Sequence, residues 1–349
     1  EGDDLTVDNG ELLMKVHRIE EDRLVCSVVT SGLMGSRRHI NLPGVRLNLP
    51  ALTEKDMADI RVAAECGADF VAGSFVRDAE HVRKLRAALE AEGSEAEIVS
   101  KLEDQEAIRH LDDIIQESDI IMVARGDLGI EVHVEELPII QRRIVKRCHQ
   151  LGRRVIVATH MLESMTENPT PTRAEVTDVS NAVYEEADAI MLSGETTVGK
   201  HPIRCVQLMD RVARRIERSG GLGYGKEATL RTEKQKVIQA ACGLADSIPH
   251  ALIAVFTRSG FTAHQAALLR PRSPIFAFTP QSSLCSKFTL SRGVRSFKVK
   301  FDEQPRKTIA NAIHFLQQER ELEEGTPIIV VSEIHREGAA VDAILVEHS

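Results

Sequence analysis

Cysteine pairs of the kinds that bind zinc or form a disulfide framework are missing from this sequence. Its six cysteines are widely separated, and none belongs to a C-x-x-C pair. Their spacing therefore indicates neither a zinc site nor a disulfide scaffold. Because unpaired thiols in apolar surroundings are typical of a reducing compartment, we expect a cytoplasmic protein.

Long apolar runs and an excess of positive charge are also missing. No run of about 18 apolar residues and no signal-peptide pattern occurs, so we expect no membrane partner. The formal net charge is −9, with Lys and Arg scattered along the chain, which argues against nucleic acid as the main partner. The 349 residues suffice for two or three globular domains. Since the chain opens with Glu1 and not with Met, we expect a fragment or a processed product.

The first 43 residues have the pattern of short β-strands. Alternating or β-branched runs at 12–19 and 23–32 are separated by a charged break. A segment of this length is too short to form a stable sheet domain alone. We therefore interpret residues 1–43 as the end of a small β domain.

Strands and helices alternate between residues 44 and 219. The strand patterns lie at 69–74, 97–101, 120–123, 155–158 and 188–193. Regular alternation predicts an α/β fold with a parallel sheet covered by helices. Because polar residues follow several different strands, the pattern favours a TIM-type (β/α)8 barrel over a doubly wound sheet. We count five βα units of such a barrel in this segment.

A glycine-rich stretch at 220–226 separates this repeat from a second one. Strand patterns recur at 252–256, 275–278, 296–299 and 327–331, with helical periodicity between them. Residues 220–349 are therefore predicted to form a separate α/β domain with a mostly parallel sheet.

Three charged side chains stand at the ends of two neighbouring predicted strands. Lys101 and Glu103 are two residues apart, so both side chains point to one face of the strand. Glu103 and Asp127 would supply two carboxylates to a hard cation such as Mg²⁺, and Lys101 would stabilise charge on a phosphoryl group or an enolate. A structural Lys–Glu ion pair at the barrel rim explains the same spacing, and the residues alone leave both interpretations open.

Five motifs follow one another in a fixed order: IVSKLED (98–104), MVARGDLGIE (122–131), ATHMLESM (158–165), PTRAEVTDVSNAV (171–183) and IMLSGET (190–196). Together they resemble the pyruvate kinase family, and the resemblance runs from about residue 3 to about residue 331. It implies phosphoryl transfer from phosphoenolpyruvate to ADP, which gives pyruvate and ATP in the last step of glycolysis. It also implies Mg²⁺ (or Mn²⁺) and K⁺ as cofactors, and a homotetramer with an interface near the PTRAE stretch.

The resemblance assigns roles to individual residues. Lys101 matches the lysine that stabilises the transition state, and Glu103 and Asp127 match the metal ligands. The remaining matches are the turn that holds the substrate carboxylate (Ala124, Gly126, Asp127), the threonine beside the substrate (Thr159), the pair linked to protonation of the enolate (Ser193, Glu195) and a basic pair that reaches the nucleotide from a lid (Arg37, Arg38). Residues 1–43 would then be the end of that lid.

A loop in the second α/β domain is similar to the family's effector phosphate loop. It contains Thr257, Arg258, Ser259, Gly260 and Thr262. A strand, a hydroxyl-rich turn and a helix start together form a suitable anion site, so the resemblance implies a phosphorylated allosteric effector. An ordinary capped helix gives the same pattern.

The sequence departs from the family in two ways. The first three barrel strands and the start of the lid are absent, so the K⁺ site cannot be placed. We expect this chain alone to aggregate or to show no turnover. His160 replaces the usual glutamine after Thr159 and brings a titratable group near the substrate. A non-catalytic relative that binds phosphometabolites or partner subunits, and a Mg²⁺-dependent lyase or aldolase, remain alternatives, although Lys101 argues against the lyase.

Overall fold

The computed structural model describes residues 1–8, 10, 12–36, 38–45, 50–319, 322–336 and 339–349. The chain folds into two compact units. The first contains Glu1–Cys148 and Val155–Leu222, and the second contains His149–Arg154 and Gly223–Ser349. The three-domain division proposed from the sequence stays a prediction.

The first unit opens with a four-stranded antiparallel sheet in the order β3-β2-β1-β4. Its strands are β1 (Asp4–Val7), β2 (Leu12–Ile19), β3 (Leu24–Val28) and β4 (Ile40–Asn41). Leu5 and Val7 alternate with polar neighbours and pack with Leu12 in a small core, because side chains two apart on a strand share a face. The predicted β character of this segment is confirmed.

The rest of the first unit contains a five-stranded sheet in the order β5-β6-β7-β8-β9. Its elements are α1 (Glu54–Glu65), β5 (Phe70–Gly73), α2 (Ala79–Ala91), β6 (Glu97–Leu102), α3 (Gln105–Arg109), α4 (Leu111–Glu117), β7 (Ile120–Ala124), α5 (Arg125–Glu131), α6 (Leu137–Leu151), β8 (Arg154–Ala158), α7 (Arg173–Tyr184), β9 (Ala189–Met191), α8 (Gly194–Thr197) and α9 (Pro202–Glu217). Strands follow chain order and pair in parallel, which is the order of a (β/α) barrel. The predicted five βα units are confirmed.

Several barrel strands are preceded by an aspartate in the sequence, and the structure shows the hydrogen bonds that these aspartates form. The Asp119 carboxylate accepts a hydrogen bond from Ile98 N at 2.9 Å, and the Asp188 carboxylate accepts one from Val155 N at 2.9 Å. Each aspartate therefore pairs with the first amide groups of the preceding strand in the chain. This contact fixes the register at the amino end of the sheet.

Helix boundaries follow the predicted signals with one difference. Thr53 and Asp56, three residues apart, have the sequence pattern of a capping box and form one at the start of α1. Ile108, Leu111 and Ile115 have the apolar spacing that predicts one helix. The structure instead has two helices, α3 and α4, because His110 leaves the helical conformation at φ −100° and ψ 22°. Among the described residues, no helix is both long and apolar enough to cross a bilayer.

The second unit contains a five-stranded sheet in the order β12-β11-β10-β13-β14. Its elements are α10 (Glu233–Ser247), β10 (Leu252–Phe256), α11 (Phe261–Leu268), β11 (Ile275–Thr279), α12 (Ser282–Lys287), β12 (Val294–Lys298), α13 (Pro305–Gln318), β13 (Pro327–Arg336) and β14 (Ala339–His348). Ile253 and Val255 face one apolar cluster, whereas Leu252 and Phe256 face the other, so both faces of the sheet are buried.

The sheet of the second unit is mostly parallel, as predicted, but it ends in a hairpin that the sequence did not predict. Strand β14 pairs antiparallel with β13 over their full lengths, from Pro327 opposite His348 to Arg336 opposite Ala339. It forms one edge of the sheet. Asp342 and Glu347 interrupt its apolar residues, so its sequence lacks the continuous apolar run of the central strand β10.

Candidate functional site

The candidate site lies where strands β5, β6 and β7 end. Lys101 lies on β6, and its Nζ is 2.6 Å from Oε1 of Glu103. The same nitrogen donates to the Ser74 hydroxyl just beyond β5 at 3.0 Å. The structure therefore brings Lys101 and Glu103 together, as their spacing predicted.

Glu103 is the most buried acid of this group, with only 1% of its surface exposed. Its second oxygen accepts a hydrogen bond from Phe75 N at 2.5 Å. Burial raises the pKa of Glu103, and the neighbouring Asp127 carboxylate raises it further, although Lys101 and the Phe75 amide act in the opposite sense. Glu103 and Asp127 thus form a like-charge pair that a bound cation would stabilise.

Asp127 lies on a helix and not in the tight turn that its glycines suggested. Strand β7 is fully buried and passes directly into α5, which starts at Arg125. Asp127 therefore lies in the first helical turn, where the backbone N–H groups lack partners within the helix. Residues 125–129, whose two glycines suggest a turn, instead continue from β7 directly into a helix, so that prediction was wrong.

A histidine with no role predicted from the sequence approaches this acid. Nδ1 of His39 is 4.0 Å from Oδ1 of Asp127, and its ring stands edge-on to Phe75 with centroids 6.1 Å apart. His39 directly precedes β4 of the amino-terminal sheet. Its position next to the basic pair was the only signal in the sequence.

Gly126 and Thr159 meet across two neighbouring strand ends. Gly126 N donates to the Thr159 hydroxyl at 2.7 Å, and that hydroxyl donates to the Ala158 carbonyl at 2.6 Å. Thr159 and His160 both have positive φ, 69° and 51°, a conformation that costs energy for residues other than glycine. The structure therefore brings together the start of α5 and Thr159, as predicted.

Arg125 also belongs to the site, although the sequence analysis gave it no role. It is only 7% exposed. Its guanidinium donates to the carbonyls of Ala158, Thr159 and His160 and to the side chains of Gln141 and Asp178. A buried guanidinium with this many partners fixes the geometry of the groups around it.

Ser193 and Glu195 lie together beyond β9. Glu195 is 3% exposed, and its carboxylate accepts from Ser193 N at 2.7 Å and from Leu162 N at 2.9 Å. The Ser193 hydroxyl oxygen is buried and has no hydrogen-bond partner within the described part of the chain. A buried hydroxyl in this state is uncommon and is typical of a site that accepts a ligand or a water molecule.

Of the two predicted nucleotide-binding arginines, the structure describes Arg38, which precedes β4 of the amino-terminal sheet. Arg37 lies outside the described residues. Arg38 Nη1 is 3.2 Å from the Asp8 carboxylate, and half of its side chain is exposed. The structure therefore shows Arg38 in an ion pair with Asp8.

The predicted effector loop connects β10 to α11 in the second unit. Thr257 is 4% exposed, and its hydroxyl accepts from Gly260 N at 2.9 Å. Gly260 is the N-cap residue of α11 and has φ 86°, and no side-chain hydrogen bond caps this helix start. Arg258 and Ser259 are exposed, and the Arg258 guanidinium lies 4.9 Å from the centre of the Phe301 ring.

The donor set of the first unit suits a hard divalent cation. Carboxylate oxygens are the ligands that Mg²⁺ prefers, usually one or two from the protein with water and substrate phosphate completing the shell. Glu103 and Asp127 match this pattern, and the raised pKa of Glu103 reflects the unfavourable charge that a cation would offset. Within the described ranges, no group of three or more His, Cys, Asp or Glu side chains is arranged to hold a metal.

Comparison with known proteins identifies relatives over most of the chain. The family model "Pyruvate kinase, barrel domain" matches residues 1–206, and "Pyruvate kinase, alpha/beta domain" matches residues 235–346. Plastidial pyruvate kinase 2 of Arabidopsis thaliana is 39% identical over 95% of this chain and 58% of its own length. Pyruvate kinase isozyme G, chloroplastic, of Ricinus communis is 39% identical over 95% and 79%, and the pyruvate kinase of Clostridium acetobutylicum is 38% identical over 84% and 63%. The chain thus spans little more than half of the Arabidopsis protein.

Proposed function

Because this chain belongs to the pyruvate kinase family, we propose that it contains the site that transfers a phosphoryl group from phosphoenolpyruvate to ADP, giving pyruvate and ATP in the last step of glycolysis. The observation that carries this proposal is the cluster at the ends of β5, β6 and β7. There a buried carboxylate, a second acid and a lysine lie together. This combination suits phosphoryl transfer, in which the protein mainly positions and stabilises charge.

Glu103 and Asp127 are the residues that would hold Mg²⁺ (or Mn²⁺). When bound, this ion supplies positive charge that stabilises phosphoryl oxygens. K⁺ is proposed from the family resemblance alone, and we assign it to no residue of this chain.

Lys101 would stabilise the negative charge that develops during transfer. Its ammonium group is held between Glu103 and Ser74, so it is already oriented towards the strand ends. An oriented charge in a partly buried site stabilises a transition state more than a mobile one in water, because little reorganisation is needed at the moment of reaction.

The first turn of α5 and Thr159 would bind the substrate carboxylate. The candidate donors are backbone N–H groups of the segment that contains Ala124, Gly126 and Asp127, together with the Thr159 hydroxyl. Gly126 N donates to Thr159, so a substrate carboxylate would share or replace that hydrogen bond. Ser193 and Glu195 would then assist protonation of the enolate, which the unpartnered Ser193 hydroxyl supports.

Three further proposals rest on the resemblance. Arg37 and Arg38 would contact ADP or ATP, and the loop with Thr257, Arg258, Ser259, Gly260 and Thr262 would bind a phosphorylated effector. A homotetramer is proposed, with its interface near 171–175. A cytoplasmic location also stays a prediction, since two of the relatives are named for plastids.

Mn²⁺-dependent binding of phosphoenolpyruvate by the full 349-residue chain tests the proposed site. Calorimetry with and without Mn²⁺ should show binding that Asp127→Asn weakens and that excess Mn²⁺ partly restores. Lys84→Met, a change at an exposed helix position, serves as the control. Absence of any Mn²⁺-dependent binding to the wild-type chain would remove the basis of the proposal. Binding without turnover in a longer chain that restores the missing barrel strands would favour a non-catalytic relative.

A further inference from the structure

We propose that Arg125 is a positioning residue that holds Thr159 against the Gly126 amide. The assignment of Thr159 to a substrate site rests on the proposed function. The hydrogen bond between Gly126 and Thr159 does not depend on that function. The inference starts from backbone conformation. Thr159 and His160 have φ 69° and 51°, and two consecutive non-glycine residues in this region need the surrounding structure to hold them.

Arg125 supplies that support through carbonyl groups. Nε of Arg125 is 3.2 Å from the carbonyl oxygens of Ala158 and Thr159. Nη2 donates to the Thr159 carbonyl and lies 3.2 Å from the His160 carbonyl. The guanidinium therefore binds three successive carbonyls, and its planar shape fixes their directions relative to one another.

The guanidinium is itself oriented from two other helices. Nη1 is 2.7 Å from the Asp178 carboxylate on α7 and 3.5 Å from the Gln141 side chain on α6. Gln141 in turn donates to Glu185 at 2.8 Å. Because Arg125 is 7% exposed, these partners, and not water, set its orientation.

The guanidinium acts on the site because Arg125 directly precedes Gly126. The backbone of Arg125 begins α5, while its side chain fixes the strand end that presents the Thr159 hydroxyl. That hydroxyl lies 2.7 Å from Gly126 N. One residue thus sets both sides of the Gly126–Thr159 hydrogen bond, and loss of its planar donor group should release Thr159 without unfolding the sheet.

Amide hydrogen exchange of the full chain tests this directly. In Arg125→Lys, which keeps the charge but loses the planar donor group, exchange at Gly126 should be at least about tenfold faster. Exchange at the β7 and β8 core amides of Val123 and Val157 should stay unchanged. The matched control is Arg214→Lys, whose arginine pairs with Asp210 from an exposed position on α9 and should leave Gly126 unaffected.

Two further variants keep the test decisive. Thr159→Val should accelerate Gly126 exchange, and adding Arg125→Lys should cause no further change at Gly126, because Arg125 acts through Thr159. If Arg125→Lys fails to fold, Asp178→Asn should give a smaller increase at the same amide. The proposal would be overturned if Gly126 exchanged at the wild-type rate in Arg125→Lys or in Asp178→Asn. It would also be overturned if the amides of Val123 and Val157 lost as much protection as the amide of Gly126.

Ligand binding separates this proposal from the proposed function. Arg125→Lys should lower Mn²⁺-dependent phosphoenolpyruvate affinity by about tenfold or more, while Arg214→Lys leaves it unchanged. A wild-type chain that binds no phosphoenolpyruvate overturns the proposed function but not the exchange result. Normal Gly126 exchange in Arg125→Lys overturns the positioning role while the proposed function stands.

Discussion

Both units of the molecule place a threonine hydroxyl against a glycine amide where a strand passes into a helix. In the first unit, Gly126 N donates to Thr159 from 33 residues away along the chain. In the second, Gly260 N donates to Thr257 from only 3 residues away. The first contact joins two strand ends beside buried charges, whereas the second is contained in one loop with an exposed arginine.

This difference separates a site that depends on the whole sheet from one that depends on a short segment. The first unit gathers Lys101, Glu103, Asp127 and Arg125 from different elements, so its chemistry depends on strand order and register. The loop of the second unit needs only the strand–loop–helix connection around it. We therefore expect substitutions in the first unit to change catalysis, and substitutions in the second to change stability or effector binding.

The largest expected effect is at Lys101. Lys101→Met should lower phosphoryl transfer by at least about a hundredfold, because an oriented charge near the transferring group contributes on the order of 3 kcal/mol to transition-state stabilisation. Mn²⁺ affinity should change little, since Glu103 and Asp127 hold the ion. Steady-state kinetics of a longer chain that contains this one, with Lys84→Met as the control, measures the effect. Near-normal turnover in Lys101→Met would show that Lys101 has only its structural ion pair.

The next largest effect is expected for the hydrogen bond between Thr257 and Gly260 in the second unit. Thr257→Val keeps the shape of a side chain that is 4% exposed but leaves Gly260 N without its acceptor. The free energy of unfolding of this unit should fall by about 1–3 kcal/mol. Denaturant titration is the measurement, and Thr229→Val, at an exposed position, is the control. Equal stability of the two variants would mean that the Thr257 hydrogen bond contributes nothing.

A negative charge introduced into the same loop should weaken effector binding. Ser259 is exposed, so Ser259→Asp should fold normally and weaken binding of a sugar phosphate or nucleotide monophosphate by about tenfold or more, close to 1.4 kcal/mol. Calorimetric titration of the chain with such ligands measures this, and Ser259→Asn provides a neutral control. If neither the wild type nor the control bound any phosphorylated metabolite, the loop would be a plain helix start.

The smallest expected effect is a pH dependence at Glu103. Burial raises its pKa above the ordinary value of 4.5, so the folded state binds a proton that the unfolded state releases. The resulting stability is present below pH 4.5 and is lost as pH rises through the folded pKa. Lys101 and the Phe75 amide oppose the shift, which keeps the effect small.

Glu103→Gln should remove this dependence. Without metal, the stability of the wild type relative to Glu103→Gln should fall as pH rises from about 4 to 7, and Mn²⁺ should reverse the fall in the wild type alone. Urea titrations at several pH values would measure it, with the exposed Glu136→Gln as the control. A wild type that gains stability over Glu103→Gln as pH rises would contradict the sign of the shift.

Local signals predicted the elements well. The Thr53–Asp56 capping box, the buried strand at β7 and the alternation of strands with helices are all set by neighbours within a few residues. The elements that were not predicted correctly also have physical explanations. The glycines at 126 and 129 suggested a turn, but the chain enters α5 directly. Asp342 and Glu347 interrupt the apolar residues of β14, whereas the central strand β10 is a continuous apolar run.

The candidate site shows the same division. Lys101 and Glu103 were predicted to meet because strand geometry puts residues two apart on one face, and they lie 2.6 Å apart. His39 and Arg125 were missed because their partners, Asp127 and the Thr159 carbonyl, are far away in sequence. No local pattern marks a contact of that kind.

The sequence by itself determined the order of strands and helices, the residues that end each strand and the family to which the chain belongs, because propensity, capping and side-chain alternation depend on near neighbours. Only the tertiary structure decided that Arg125 binds the Thr159 carbonyl, that Gly126 donates to Thr159 and that His39 approaches Asp127. The Arg125 and Gly126 contacts depend on parallel pairing, which brings together strand ends separated by tens of residues, and that pairing forms only when the apolar faces of the whole sheet are buried together. The His39 contact joins the antiparallel amino-terminal sheet region to α5, so it depends on tertiary structure outside the parallel sheet.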